Sequence, residues 1–134
     1  MSSVTPTDLQ FALRVVLAVI FIGAGVTHFL PSVQRTMAAM IPPRLRFTGI
    51  LSPRALVVFT GLCEIAGGAG LLYRPLIVTS GLCLILFLIA VFPANAFAAR
   101  HPKRFGRVAI PVVPRLFGQL ALIALIGVAI VPGA

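Results

Sequence analysis

The sequence is short of charge, and above all of acid. Two of its 134 residues are acidic and 10% are charged, where a soluble domain runs at roughly a quarter. A chain this small has much surface to cover for its volume, and this one lacks the polar groups for it. A water-soluble domain is therefore excluded. Tryptophan is absent, and two cysteines are too few for a disulfide-stapled scaffold. No C-x-x-C, nucleotide-phosphate loop, H-E-x-x-H or G-x-S-x-G occurs, so the usual thiol-redox, nucleotide-binding, zinc-protease and hydrolase signatures are missing.

What the sequence does have is apolar. Hydrophobic residues make up 60% of it and the mean hydropathy is +1.13, which excludes disorder. The apolar residues gather into four runs, Leu9–Phe29, Ala55–Tyr73, Leu76–Phe92 and Leu116–Val131. A bilayer-crossing helix takes about 20 residues, or about 17 at the short end. Barrel strands would alternate and be about ten residues long, and these runs do neither. The expected fold is all-α: an integral membrane four-helix bundle, a single domain over residues 1–134. The first run is not expected to be a cleaved signal peptide. It lacks a basic n-region, and Thr27-His28-Phe29-Leu30-Pro31 is no small-residue cleavage site.

The net charge is +9, which in a soluble protein would point to nucleic acid. Between membrane helices the same residues fix topology and meet anionic headgroups, so a lipid bilayer is the expected partner and nucleic acid is not. The loop after the first run carries Arg35, Arg44, Arg46 and Arg54. The loop after the third carries Arg100, Lys103, Arg104 and Arg107, and Arg115 opens the fourth run on that side. The opposite side has Arg74, with Arg14 inside the first run. The positive-inside rule then makes both long loops cytoplasmic and puts both termini outside, in what we expect to be a bacterial plasma membrane.

Thr5-Pro6-Thr7-Asp8 is a helix start: Thr5 can cap, Pro6 suits the first turn and Asp8 complements the dipole. In Pro31–Ile41 the residues Val33, Met37, Met40 and Ile41 share a helical face, with Gln34 and Arg35 away from it. This predicts a short interfacial amphipathic helix, stopped by Pro42-Pro43. Only Arg74-Pro75 separates the second and third runs, so those helices must be antiparallel neighbours. The third loop, Pro93–Pro114, holds four prolines and is expected to contain no long helix.

Glu64 is the most informative residue. It lies in the middle of the second run, where a carboxylate costs about 2.5–3.5 kcal/mol on insertion scales. Thr60, Gly61, Gly67, Gly68 and Leu71 share its face, and small residues let another helix come close. Its role is either one half of a buried ion pair or a ligand- or proton-binding group. Arg14 heads a stripe with Ala18, Phe21, Gly25 and His28, so it either reaches Glu64 or snorkels outward. His28 ends the first run, Asn95 follows the third, and Arg115 and Gln119 share a face at the start of the fourth. His28, Asn95, Arg115 and Gln119 are therefore expected at the cytoplasmic mouth of the bundle with Glu64 deeper. Arg14 completes the candidate ligand-binding set. No metal site is expected, since His101 is the only other histidine and lies in the basic loop. Cys63 and Cys83 differ in depth and read as two buried small hydrophobes.

Gly25-Val26-Thr27-His28-Phe29-Leu30-Pro31 and Met40-Ile41-Pro42-Pro43 resemble the first half of small DoxX-like membrane proteins. Thr60-Gly61-Leu62-Cys63-Glu64-Ile65-Ala66-Gly67-Gly68 with Gly70-Leu71-Leu72 resembles their second helix. Phe92-Pro93-Ala94-Asn95 and Arg115-Leu116-Phe117-Gly118-Gln119 resemble their third-helix exit and fourth-helix start. The resemblance covers about residues 14 to 119 and implies a four-helix fold. Proteins of this kind include a membrane subunit associated with thiosulfate:quinone oxidoreduction and members of oxidative-stress complexes, with the receptor-assembly chaperone NACHO a distant relative. Shared fold does not fix function.

The resemblance implies an accessory subunit, not itself an enzyme, with a small lipophilic-ligand site near Glu64 and His28. Quinone or lipid is the ligand class, and the link is to membrane redox metabolism. An assembly factor working through glycine-rich helix faces is the alternative. A proton-coupled exporter is a third reading, although the small multidrug exporters carry their glutamate in the first helix, not the second. A lipid-isomerising enzyme using Glu64 and His28 as acid and base has no further motif behind it. A membrane or redox protein partner and a homo-oligomer both stay open.

Overall fold

The computed structural model describes residues 3, 5–106 and 109–132; Arg107 of the third loop lies outside them. Among the described residues the chain is helical, with no strand. Six α-helices follow in order: α1 (Pro6–Thr27), α2 (Pro31–Met40), α3 (Pro53–Gly70), α4 (Ile77–Ala99), α5 (Pro102–Phe105) and α6 (Val112–Ile130). The segments Pro6–Thr27, Arg74–Ala99 and Val112–Ile130 are long and apolar enough to cross a membrane. α3, with Arg54 at its start, Glu64 at its middle and four glycines, is not among them.

Local chemistry sets the helix ends. At α1, Thr5 Oγ1 accepts from the Asp8 amide at 3.2 Å, while Asp8 Oδ2 accepts from the Thr5 amide at 3.0 Å. This reciprocal capping box satisfies amide donors that the first turn otherwise leaves orphaned. Ser52 caps α3 by accepting from the Ala55 amide at 3.3 Å, with Pro53 in the first turn. The Arg74–Leu76 turn is a single 3-10 turn that reverses the chain between α3 and α4. α2 ends where Pro42 and Pro43 follow; Arg46 then folds back and donates from Nε to Ile41 O and from Nη2 to Ala39 O, both at 2.9 Å.

Two expectations are corrected here. α4 does not stop at Phe92; it carries Pro93 in its interior and runs on to Ala99. Proline removes one helical hydrogen bond, but the Ala-rich turns beyond it favour helix. Ala98 is fully buried there, in a small cluster with Met40 of α2 and Phe105 of α5. Gln34 does not point away from the packed face of α2. It is half-buried, donating from Nε2 to His28 O at 3.1 Å and accepting from Arg54 Nε at 3.0 Å.

The four long helices touch in the cyclic order α1, α3, α4, α6 and back to α1, with α1 against α3 the most extensive contact. Each neighbour runs antiparallel to the next. Gln10 near the start of α1 meets Val128 and Val131 at the end of α6, and Gly67 and Gly70 of α3 face Leu84 and Ser80 of α4. The main core joins Leu17 and Phe21 of α1, Leu71 after α3, Leu84 of α4, and Ile126, Ala129 and Ile130 of α6. Large apolar side chains also cover the outside: Phe11, Val19, Phe59, Leu62, Leu86, Ile89, Phe117 and Val128 are all exposed.

Candidate functional site

The site is made by two glycines before any polar atom enters. α1 and α3 cross with Gly25 against Gly61, so close that a Cβ on Gly25 would lie 2.6 Å from Gly61 O, and one on Gly61 2.9 Å from Gly25 O. Only hydrogen in place of a side chain permits such backbone contact. His28 stands one turn beyond Gly25 and Glu64 one turn beyond Gly61, each on the same helical face as its glycine. The crossing therefore brings the two side chains together. Both residues are buried, at 4% and 8% exposure.

His28 Nε2 lies 3.0 Å from Glu64 Oε2. The approach is close but out of line, for no aligned hydrogen-bond donor reaches that oxygen. The other ring nitrogen is fixed more firmly. His28 Nδ1 is 3.1 Å from Val57 O and 3.1 Å from Thr60 Oγ1, and the Thr60 hydroxyl itself donates to Val57 O at 2.8 Å. A carbonyl only accepts, and the Thr60 proton is already spent on it. Nδ1 must therefore carry hydrogen and donate to both oxygens. This second hydrogen-bonded partner sets the tautomer and the ring plane, and leaves Nε2 as the atom that meets Glu64.

Of the other expected site residues, Arg14 does not reach Glu64: its Nη1 donates to Ala129 O at 2.9 Å, near the end of α6. Beside it Gln10 Nε2 donates to Val128 O at 2.9 Å and Val131 O at 3.0 Å. Gln10 went unremarked in the sequence, although it sits four residues before Arg14 and so shares its helical face. Arg115 Nε is 3.5 Å from Ile110 O. Asn95 on α4 and Gln119 on α6 are half-buried. Cys63 is half-buried and Cys83 exposed, and both are free thiols, which corrects the expectation that both are buried. No cluster of metal-ligating side chains occurs among the described residues.

Two cavities lie away from the pair. One, of about 370 Å³, sits among Pro6, Leu9, Gln10, Leu13, Val128 and Val131, beside the Gln10 cap on α6. The other, of about 410 Å³, runs along α3 past Ser52, Arg54, Ala55, Val58, Phe59 and Leu62.

Residues 17–130 match the family model described as a domain of unknown function, DUF8561. The chain belongs to the DUF8561 family. That match takes in α1 from its buried stretch onward, both residues of the His28–Glu64 pair, and α6 to its end. No curated protein and no solved structure matches the chain. In this DUF8561 chain the acid–imidazole pair is thus the feature from which a functional reading has to start.

Proposed function

We propose that the chain is a DoxX-like integral membrane protein in which α1, α3, α4 and α6 form a four-helix transmembrane bundle. α2 lies in the cytoplasmic interface, and the protein is an accessory subunit that holds a small lipophilic ligand, a quinone or a lipid, at the His28–Glu64 pair. The apolar exterior supports the bilayer: side chains such as Phe11, Val19, Leu86 and Phe117 are exposed all round the helices, and in water such a surface would aggregate. α3 falls short of a self-sufficient span, but it packs against α1 on one side and α4 on the other. Its polar residue is then shielded from lipid.

One observation carries the ligand reading. A buried carboxyl oxygen, Glu64 Oε2, has a close imidazole neighbour and no aligned donor. Buried polar atoms are normally satisfied, and those that are not mark a site with work to do. A ligand hydroxyl donating to Oε2 would complete the set. Arg14, the strongest competitor for Glu64, is committed to α6, so the acid is not used up in a structural ion pair with it.

The test is retention. Protein purified from membranes in mild detergent and extracted into organic solvent should yield co-purified quinone or lipid at near-stoichiometric amounts. Glu64→Gln should lose that ligand and lower the melting temperature by only a few degrees. Glutamine is close to isosteric and His28 keeps its Nδ1 anchor, so only the contact at Nε2 is altered, worth about 1 kcal/mol. A variant that holds the ligand as well as the parent does would sink the reading.

A further inference from the structure

Apart from any organic ligand, we propose that His28 and Glu64 together form a proton-binding site that holds a single proton between Glu64 Oε2 and His28 Nε2. The hydrogen on Nδ1 is pinned by Val57 O and Thr60 Oγ1, both at 3.1 Å, so the imidazole has only Nε2 left for exchange. Nε2 lies 3.0 Å from Oε2, close but out of line. With one proton between them the pair is either carboxylic acid with neutral imidazole or carboxylate with imidazolium. Both forms carry zero net charge, and passing the proton from oxygen to nitrogen moves no net charge into or out of the bundle. A second proton leaves net positive charge in a buried site, and removing the proton leaves net negative charge. Either is disfavoured where water cannot solvate it.

Among the described residues, charged groups of the packed elements have partners of their own or are exposed. On α1, Asp8 is engaged with Thr5 and Arg14 with Ala129 O. On α2, Arg35 is exposed. α4 has no charged residue between Ile77 and Ala99, nor has the turn Gly49–Leu51 that packs on α3. On α3 itself Arg54 donates to Gln34, and Cys63 adjoins the pair in sequence as a free thiol. Arg115 belongs to α6, which packs on α1 and α4.

The composition makes the test direct. Glu64 is the only glutamate and His28 one of two histidines. Protein labelled with δ-13C glutamate and ring-15N histidine, in lipid nanodiscs, gives one carboxyl signal and two imidazole sets. His101→Gln removes the exposed histidine. At about pH 7 the carboxyl carbon and the His28 nitrogens should report one shared proton, in either form, with Nδ1 protonated. A carboxylate beside a neutral imidazole, or an acid beside an imidazolium, would overturn the proposal. The outcome is separate from ligand retention: a protein stripped of co-purified ligand before reconstitution should give the same count.

Discussion

The decisive residues are glycines as much as the acid. At Gly61 a Cβ would lie 2.8 Å from His28 Cβ and 2.9 Å from Gly25 O, and one of these is backbone that cannot step aside. Gly61→Ala should therefore push α1 from α3, lower stability by about 1–3 kcal/mol and separate His28 from Glu64. Gly23, on the same helix as Gly25, has nothing within 4 Å of a built Cβ. Gly23→Ala should leave stability unchanged or raise it by up to about 1 kcal/mol, since alanine favours helix over glycine. Thermal unfolding of the two variants in one detergent checks both, and equal melting points would argue that the crossing is loose. The sequence already marked Glu64 as costly and its face as stripped to small residues. It did not reveal the partner, because three basic or imidazole side chains were in range and only the crossing point decides among them.

At the scale of elements, two helix starts were plain in the sequence: Thr5 with Asp8 at α1, and Pro31 at α2. The end of α4 was not. Pro93 reads as a stop, but the tertiary contact of Ala98 with Met40 and Phe105 outweighs the one lost hydrogen bond. The end of α6 was read to within one residue, but what holds its last turn was illegible, because its stabilisers lie more than a hundred residues away. Gln10 and Arg14 donate to Val128 O, Val131 O and Ala129 O, carbonyls that the end of a helix leaves without partners. Arg14 also sets its charge against the negative end of the α6 dipole. Gln10→Leu should thus loosen the end of α6 and cost about 1 kcal/mol. Arg14→Leu should do the same and in addition remove the dipole complement. Hydrogen exchange should quicken in the final turn of α6 and not in α2, and an unchanged rate there would show that these side chains do not hold it.

For the whole molecule, the charges divide along the helix axes. The antiparallel cycle puts the start of α1 and the end of α6 at one end, joined by Gln10. The segments from α1 to α3 and from α4 to α6 are at the other. That second end carries Arg35, Arg44, Arg46, Arg54, Arg100, Lys103 and Arg104, while the first has Arg74 in its 3-10 turn. We propose on this ground that cytoplasmic retention of the basic loops orients the chain, with α2 against the inner leaflet and both termini outside. Ser3 and Ser52 sample the two ends. In a background free of Cys63 and Cys83, a cysteine at position 3 should react with an impermeant maleimide in intact cells, and one at position 52 only after permeabilisation. The asymmetry of charge, not the fold, is what fixes this outcome, since the same bundle inverted would bury the same residues. Reaction at position 52 from outside would therefore reverse the orientation while leaving the helix packing untouched. It would also move the His28 end of the crossing, and the Thr60 hydroxyl beside it, to the outer half of the membrane.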